Sequence, residues 1–502
     1  MTTERLTTGF KSWSLPLDDY QILLNGYQSW SPADLRNLTD TQVRPILDVL
    51  VKQGYDLQFP PTNAAGHWRS HHLIALVTDK GAYIGFALSA KTSVTCWEAR
   101  IEKDQVTLTL QVDGAPEEVA FEWTEHPIER LEALSQEFAR NMQSPSRTPI
   151  RVWCSWYSYY RHITEKDFLD NAKLARDLQL PFDCFQLDDG YQNDLGDWLL
   201  PRPAFQGDVK GIPAKIEALG FKAGLWMAPF IASPTSELFK THPEWFLKDE
   251  NGQLVEAGDN WDNVYYALDL SQQEVLDWLE DLARTFRGFG YTYFKLDFLF
   301  AGALPGVRQN GTSRTEAYRN GLAAFKKGAP DAFILGCGAP LAQSVGLVEA
   351  MRIGPDVTPF WDESARRQWV RDESTPSLKG TLQTCLSRFY QHHWYMPDPD
   401  VMLARQKLSL LSDRERESLL RLLQVCGGLL ASSDPLMLLE EPDLDLLREA
   451  LIFRPRDLPS TLNRRFGVAP THYHTVTFNL TEEMQDGIVP HGSRMERVLE
   501  PV

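Results

Sequence analysis

The chain has 502 residues, more than the roughly 250–300 that one hydrophobic core supports, so at least two domains are expected. At 43% hydrophobic and 24% charged it reads as globular. It has no run near the roughly 18 apolar residues of a bilayer span, and the opening MTTERLTTGFKSW lacks the apolar core and cleavage site of a secretory signal. A cytoplasmic location is expected from the lack of such a signal, while a net charge of -18 and a pI near 5.1 argue against nucleic acid or membrane as the main partner and favour a neutral ligand.

Cys96, Cys154, Cys184, Cys337, Cys385 and Cys426 are scattered without a C-x-x-C pair, so reduced thiols are expected rather than a disulfide framework or zinc site. Over residues 1–148 the pattern is that of an antiparallel β-sandwich. Val106, Leu108, Leu110 and Val112 alternate with polar residues, and LVTDKGAYIGFAL reads as two strands around a turn. A helical stretch, IERLEALSQEFARNM, then runs into SPSRTP, whose prolines and small polar residues place a domain boundary near residue 148.

From 149 to 440 short apolar strands alternate with longer amphipathic segments, the signature of β/α units around a parallel sheet. Eight candidate strands are VWCSWY, CFQLDD, FKAGLWMAP, YYALDL, YTYFKLDF, AFILGCG, AMRIGPD and WYMPDPD, the number of a (β/α)8 TIM barrel. Ser271 with Glu274, Ser313 with Glu316 and Ser412 with Glu415 have capping-box spacing at helix starts. After Ser271, Val275, Leu279, Leu282 and Phe286 form an apolar face. Residues 441–502 read as a short β-rich region, with alternation only at Val476, Phe478 and Leu480.

Barrel active sites lie at the C-terminal ends of the strands, and here those ends are rich in charge: Asp188 and Asp189, Lys295 and Asp297, Arg352 and Asp356, Asp398 and Asp400. Lys295 and Asp297 are two apart on a strand and therefore share a face. A neighbouring cation stabilises a carboxylate's charged form, as a nucleophile requires. Asp356 follows Gly354 and Pro355, where the strand turns into a loop. Paired with Asp297 it supplies the two carboxyl groups of glycoside hydrolysis, one nucleophile and one proton donor. Aromatic residues crowd the same ends, with Trp153, Trp156, Tyr157, Tyr159 and Tyr160 on the first strand and Trp226 on the third. Such rings stack on sugar faces as readily as they fill a core.

The segments WCSWYSYY, FQLDDGYQNDLGDW, GLWMAPF, YALDLS, YFKLDFLFAGALPG, ILGCGAPL and MRIGPD, in this order, resemble bacterial α-galactosidases of glycoside hydrolase family 36. The resemblance implies a retaining enzyme that removes terminal α-galactose from small α-galactosides without metal or organic cofactor. Asp297 would be the nucleophile and Asp356 the acid/base. Asp188 and Asp189 would bind O4 and O6, Lys295 and Arg352 other ring hydroxyls. Trp226 and Tyr157 would form walls, Cys337 would line the pocket near the C2 substituent, and Tyr27 in NGYQSW would reach in from the sandwich. The chain departs from relatives at Tyr27, often Trp there, and in WYMPDPD, where an Asn usually precedes the first Asp.

The same carboxylates could chelate a divalent cation, but His162, His242, His392 and His393 do not fall at the strand ends. GCGAPL only loosely matches a dinucleotide fingerprint, lacking its third glycine. Within the same chemistry, α-N-acetylgalactosaminidase and galactosyl-transfer activities stay open, as do a binding protein without catalysis, the aglycone and the oligomeric state.

Overall fold

Alternating side chains organise the first part of the chain. Along Gln105–Gly114, Val106, Leu108 and Leu110 are fully buried and their neighbours less so, the period of two that a half-buried strand requires. This strand lies in a four-stranded antiparallel sheet ordered Phe10–Pro16, Gln105–Gly114, Ser93–Glu102, His67–His71. A six-stranded antiparallel sheet runs Glu4–Thr8, Glu117–Thr124, Gly81–Ala87, Leu73–Thr78, Gln21–Leu24, Asp34–Asn37. LVTDKGAYIGFAL forms the expected pair, closing at Thr78 opposite Gly81. Leu15, Trp97 and Leu108 of one sheet and Ile22, Leu76 and Val119 of the other share one core. Each such side chain contributes roughly 1.5–3 kcal/mol relative to exposure. The computed structural model describes residues 4–453 except 147, 206–208, 261–262, 363–368 and 427.

The helix Pro127–Asn141 follows, with proline in its first turn, where a missing N–H costs nothing. It buries Ile128, Leu131, Leu134 and Phe138, and Ser135 Oγ donates to the Tyr390 carbonyl at 2.5 Å, tying the helix to the segment Phe389–His393.

Beyond it lies a nine-stranded parallel sheet. Its strands in chain order are β1 (Arg151–Cys154), β2 (Cys184–Leu187), β3 (Lys222–Met227), β4 (Tyr291–Leu296), β5 (Phe333–Gly336), β6 (Ala350–Arg352), β7 (Met396–Asp398), β8 (Val401–Met402) and β9 (Leu430–Ser432). Their spatial order is β7-β6-β5-β4-β3-β2-β1-β9-β8. The strands are almost continuously buried, as expected where helices cover a parallel sheet. The molecule is thus multidomain α/β, with paired antiparallel sheets preceding a curled parallel one.

Two sequence expectations need correction. YYALDL does not join the parallel sheet: Tyr265–Ala267 pairs antiparallel with Ile231–Ala232 and Glu256–Gly258, and β3 pairs directly with β4. An alternating apolar segment identifies a strand but not the sheet it joins. The strand that does take part, β9, has only three residues, and its sequence LAS is poor in β-branched side chains. Among the capping boxes, those of Ser313–Glu316 and Ser412–Glu415 are formed. Ser271 instead donates to Asp269, and the helix Gln273–Phe289 begins after Gln272 without a side-chain cap. Its apolar face of Val275, Leu279, Leu282 and Phe286 is buried.

Residues 441–450 form a helix, Glu441–Ala450, where a β-rich region was expected; Val476, Phe478 and Leu480 lie outside the described residues. All six cysteines are buried thiols, with no disulfide among the described residues. Among the described residues no helix is long and apolar enough to cross a membrane.

Candidate active site

The C-terminal ends of β2, β3, β4 and β6 open on a cavity of about 520 Å³. Strand alternation projects Lys295 and Asp297 to the same side of β4, and both line it. β2 ends in Asp188 and Asp189, β3 brings Trp226, and the loop after β6 brings Asp356. The far side comes from the first sixty residues: Trp30, Val49, Leu50, Gln53 and Gly54 complete the wall.

That wall is tied down. Ser29 N donates to the Ala339 carbonyl at 3.1 Å, and Ala339 N to Ser29 Oγ at 3.1 Å. Arg388, fully buried, donates Nη1 to the carbonyls of Ser29 and Ile353 at 2.6 and 2.8 Å, and Nη2 to those of Gln28 and Ser31 at 3.2 and 2.6 Å. Its Nε donates to Asn25 Oδ1 at 3.1 Å. The five guanidinium N–H groups thus meet five oxygens, and NGYQSW is held against the sheet. Gly338, at φ +51, allows Trp30 its place, since a Cβ there would stand 2.8 Å from the indole.

Two charge clusters meet at the cavity, the first lining it and the second reaching it only through Asp356. In the first, Lys295 Nζ donates to Asp188 Oδ2 at 2.9 Å and stands 4.0 Å from Asp297 Oδ2. Trp226 Nε1 donates to Asp297 Oδ2 at 3.0 Å, and the Phe298 amide to Oδ1 at 2.8 Å. Phe298 is left-handed, at φ +51, a strained conformation of the kind that concentrates at functional sites. Asp188 also accepts from Gln186 at 2.6 Å. In the second cluster Arg352 contacts three carboxylates: Asp356 at 2.9 Å, Asp398 at 3.0 Å and Asp400 at 2.8 Å.

Burial pushes the Asp356 carboxyl above the usual range, and the charge of Asp297 adds to this, against the pull of Arg352 and Lys295. Asp400 is raised in the same way, by burial and by Asp356 and Asp398. Burial also pushes Asp189 up to about 6. Its Oδ1 accepts from Gln192 at 2.6 Å, while Oδ2, buried at the cavity wall, has no hydrogen-bond partner.

Asp188, Asp189, Trp226, Lys295, Asp297 and Asp356 therefore converge on one space. Arg352 and Tyr157 stand behind it, the Tyr157 hydroxyl on Asp400, while Trp156 faces the cavity in place of Tyr157. Cys337 is buried beneath the floor and is not among the lining residues; burial holds its thiol well above the usual range, and hence neutral. Tyr27 does not reach the cavity. Its ring packs on His71 and under Arg314, and Trp30, three residues on, supplies the aromatic wall. The motif was legible, but which of its aromatics faces inward depends on a turn that sequence spacing does not define. Gln53, Asn260 and Asp372 at the mouth carried no sequence signal, since isolated polar residues in loops are common.

The cavity thus offers two carboxyl groups in unlike surroundings and a ring of charged donors and acceptors, a surface suited to a neutral, hydroxyl-rich molecule. The melibiase family profile matches residues 117–325. TtGalA, an α-galactosidase from Thermus thermophilus solved in complex with stachyose, is 32% identical and superposes with a TM-score of 0.80 over 90% of this chain and 94% of that one. α-Galactosidase AgaA from Geobacillus stearothermophilus is 28% identical over 173 residues, 32% of this chain but only 23% of AgaA. This chain therefore matches about a quarter of that curated relative's length. The crystal structure of AgaA, a family GH36 α-galactosidase, shares the fold with a TM-score of 0.57 at 16% identity, over 88% of this chain and 61% of that one. On the strength of a 32% identical relative covered almost end to end, this chain belongs to the melibiase family, the α-galactosidases of glycoside hydrolase family 36.

Proposed function

We propose that the protein is a retaining, exo-acting α-galactosidase that releases terminal non-reducing α-D-galactose from galactosides such as melibiose or raffinose. The observation that carries this reading is the asymmetry of the two carboxyl groups: Asp297 is met by Lys295, Trp226 and a backbone amide, whereas burial favours the protonated form of Asp356. In the first step Asp297 attacks the anomeric carbon and Asp356 gives its proton to the departing glycosidic oxygen, leaving a galactosyl ester on Asp297. In the second, Asp356, now ionised, takes a proton from water, which attacks the same carbon and frees Asp297. Asp188 and Asp189, whose Oδ2 lies 3.7 Å from Arg161 Nε, accept from sugar hydroxyls, Lys295 donates to them, and Trp226 and Trp30 flank the ring. Arg352 acts from behind, orienting Asp356.

We read the parallel sheet as a closed (β/α)8 barrel. Its two edge strands, β7 and β8, are separated only by Pro399 and Asp400 and count as one bent strand, which leaves eight around the circle. The domain limits 1–148, an N-terminal β-sandwich, and 149–440, the barrel, are proposed with it. The six buried cysteine thiols support a cytoplasmic location.

The test is hydrolysis of p-nitrophenyl α-galactoside followed by NMR of the released sugar, with the α-glucoside and α-N-acetylgalactosaminide in parallel. α-Galactose as the first product, with little glucoside cleavage, is expected. β-Galactose first would overturn the nucleophile assignment, and no turnover of any of the three would overturn the activity.

A further inference from the structure

A group of metal-binding side chains lies outside the cavity and has no part in the reaction. Glu132, on the helix Pro127–Asn141, and His392 and His393, in the segment Phe389–His393, bring a carboxylate oxygen and two imidazole nitrogens within 4.8 Å of one another. His393 Nε2 contacts Glu132 Oε2 directly, and His392 Nε2 lies 3.5 Å from the same oxygen. The two ring centroids are 3.7 Å apart, with the ring planes tilted by 42°.

The hydrogen bonding fixes the tautomer. His392 Nδ1 is 2.9 Å from the Phe389 carbonyl, which can only accept, so Nδ1 carries a proton. In the neutral ring Nε2 then presents a lone pair toward a carboxylate oxygen, an arrangement that repels unless a proton or a metal cation stands between them. An Nδ1–H held by a backbone carbonyl is also the arrangement that aims a histidine's Nε2 at a metal. Glu132 Oε1 is buried without a hydrogen-bond partner, and the Gln136 side-chain nitrogen lies 3.4 Å from His393 Nε2. Zinc bonds of about 2.0–2.2 Å set tetrahedral ligands roughly 3.3–3.5 Å apart, a spacing His392 and Glu132 already have. All three side chains are 13–22% exposed, open enough for an ion to enter and keep a water as its fourth ligand.

We propose that Glu132, His392 and His393 form a structural site for a zinc-class divalent ion. Two imidazoles and a carboxylate select such ions over calcium or magnesium, which prefer oxygen shells. The ion would join the helix after the antiparallel sheets to the segment that leads into β7, bridging 261 residues of sequence between Glu132 and His393. At the far end of that strand stand Asp398 and Asp400, the carboxylates against Arg352.

The test uses the full chain, stripped with a chelator and titrated with zinc alone. One zinc per chain with a rise in Tm is expected, and cobalt in its place should give the visible absorption of a tetrahedral site. His393→Asn and Glu132→Gln, both close in size to the parent residue, should lower zinc affinity by more than the roughly 10–100-fold that loss of an outer-shell partner costs, and abolish the cobalt bands. Asp188→Asn should change neither. Failure of the parent chain to retain zinc, or equal uptake by the His393 and Glu132 variants, would overturn the site. Uptake lost in Asp188→Asn would place the ion in the cavity and overturn it equally.

Discussion

Asp356 is held between opposed influences: burial and Asp297 favour its neutral form, Arg352 and Lys295 its charged one, and the former prevail. In the proposed reaction Asp356 is the proton donor and must be protonated when substrate arrives, so kcat/KM is expected to fall as pH rises through its raised pKa, and Asp356→Asn should lose that alkaline limb. Asp356→Ala should slow galactosides with poor leaving groups far more than activated aryl galactosides, whereas Asp297→Ala should abolish turnover of both. Equal losses on both substrate types would contradict the acid/base role. Asp189 makes a separate prediction. Its pKa rises from 3.8 unfolded to about 6 folded, so between those values the folded state holds more protons and stability falls as pH rises, then levels off above about 6. Asp189→Asn should remove that slope and, near neutral pH, stabilise the fold by an amount of order 1–3 kcal/mol while weakening substrate binding; urea titrations at pH 4.5 and 7.5 would check it. Residues at strand ends were legible in the sequence because strand alternation says to which side they point. Tyr27 was not, and neither were the positions of Tyr157 and Cys337 behind the wall, because a step of one to three residues in a loop decides which side chain faces the cavity.

The segment NGYQSW and the GCGAPL loop after β5 act as one unit. The bridge between Gln28 and Pro340, the Ser29–Ala339 pair and the Arg388 guanidinium fix it from three sides. Arg388→Met would leave several buried carbonyls without donors at once, and a loss of about 3–5 kcal/mol in urea unfolding is expected. Arg388→Lys should rescue little, because an ammonium group cannot reproduce the planar fork; full recovery would show that charge, not geometry, matters. Gly338→Ala should raise KM, since the added carbon displaces the Trp30 indole and sits at a backbone angle that alanine resists. The sequence read the strands well where burial made them long and apolar. It mistook YYALDL for a member of the parallel sheet and missed β9, because strand character and strand partners are separate properties and only the first is local.

Contacts across the whole molecule concentrate on Arg314, which pairs with Asp56 through both Nη atoms at 2.8 and 2.9 Å and with Asp113 at 2.6 Å. Burial alone would raise the Asp56 carboxyl, but Arg314 and the nearby His71, whose Nε2 lies 3.3 Å from Oδ2, hold it well below the usual range. Its stabilisation is therefore complete at neutral pH and disappears only as pH falls through that depressed value, so the pair should resist mild acid. Arg314→Met should cost about 3–5 kcal/mol by stranding a buried charge, and adding Asp56→Asn should return much of it; a double variant no better than the single would argue against the pairing. The passage from antiparallel sheets to a parallel one was legible from the change in hydrophobic pattern along the chain, while this long-range pairing had no signal in the sequence. The Arg388 clamp has a bearing on synthesis. The carbonyl of Ser31 meets its partner 357 residues later in the chain, which at roughly 5–20 residues per second leaves it waiting on the order of tens of seconds on the ribosome. Until then the first sixty residues are committed to a wall for which no room yet exists, and a nascent chain stalled short of residue 388 should expose that loop to protease even where its antiparallel sheets have already folded.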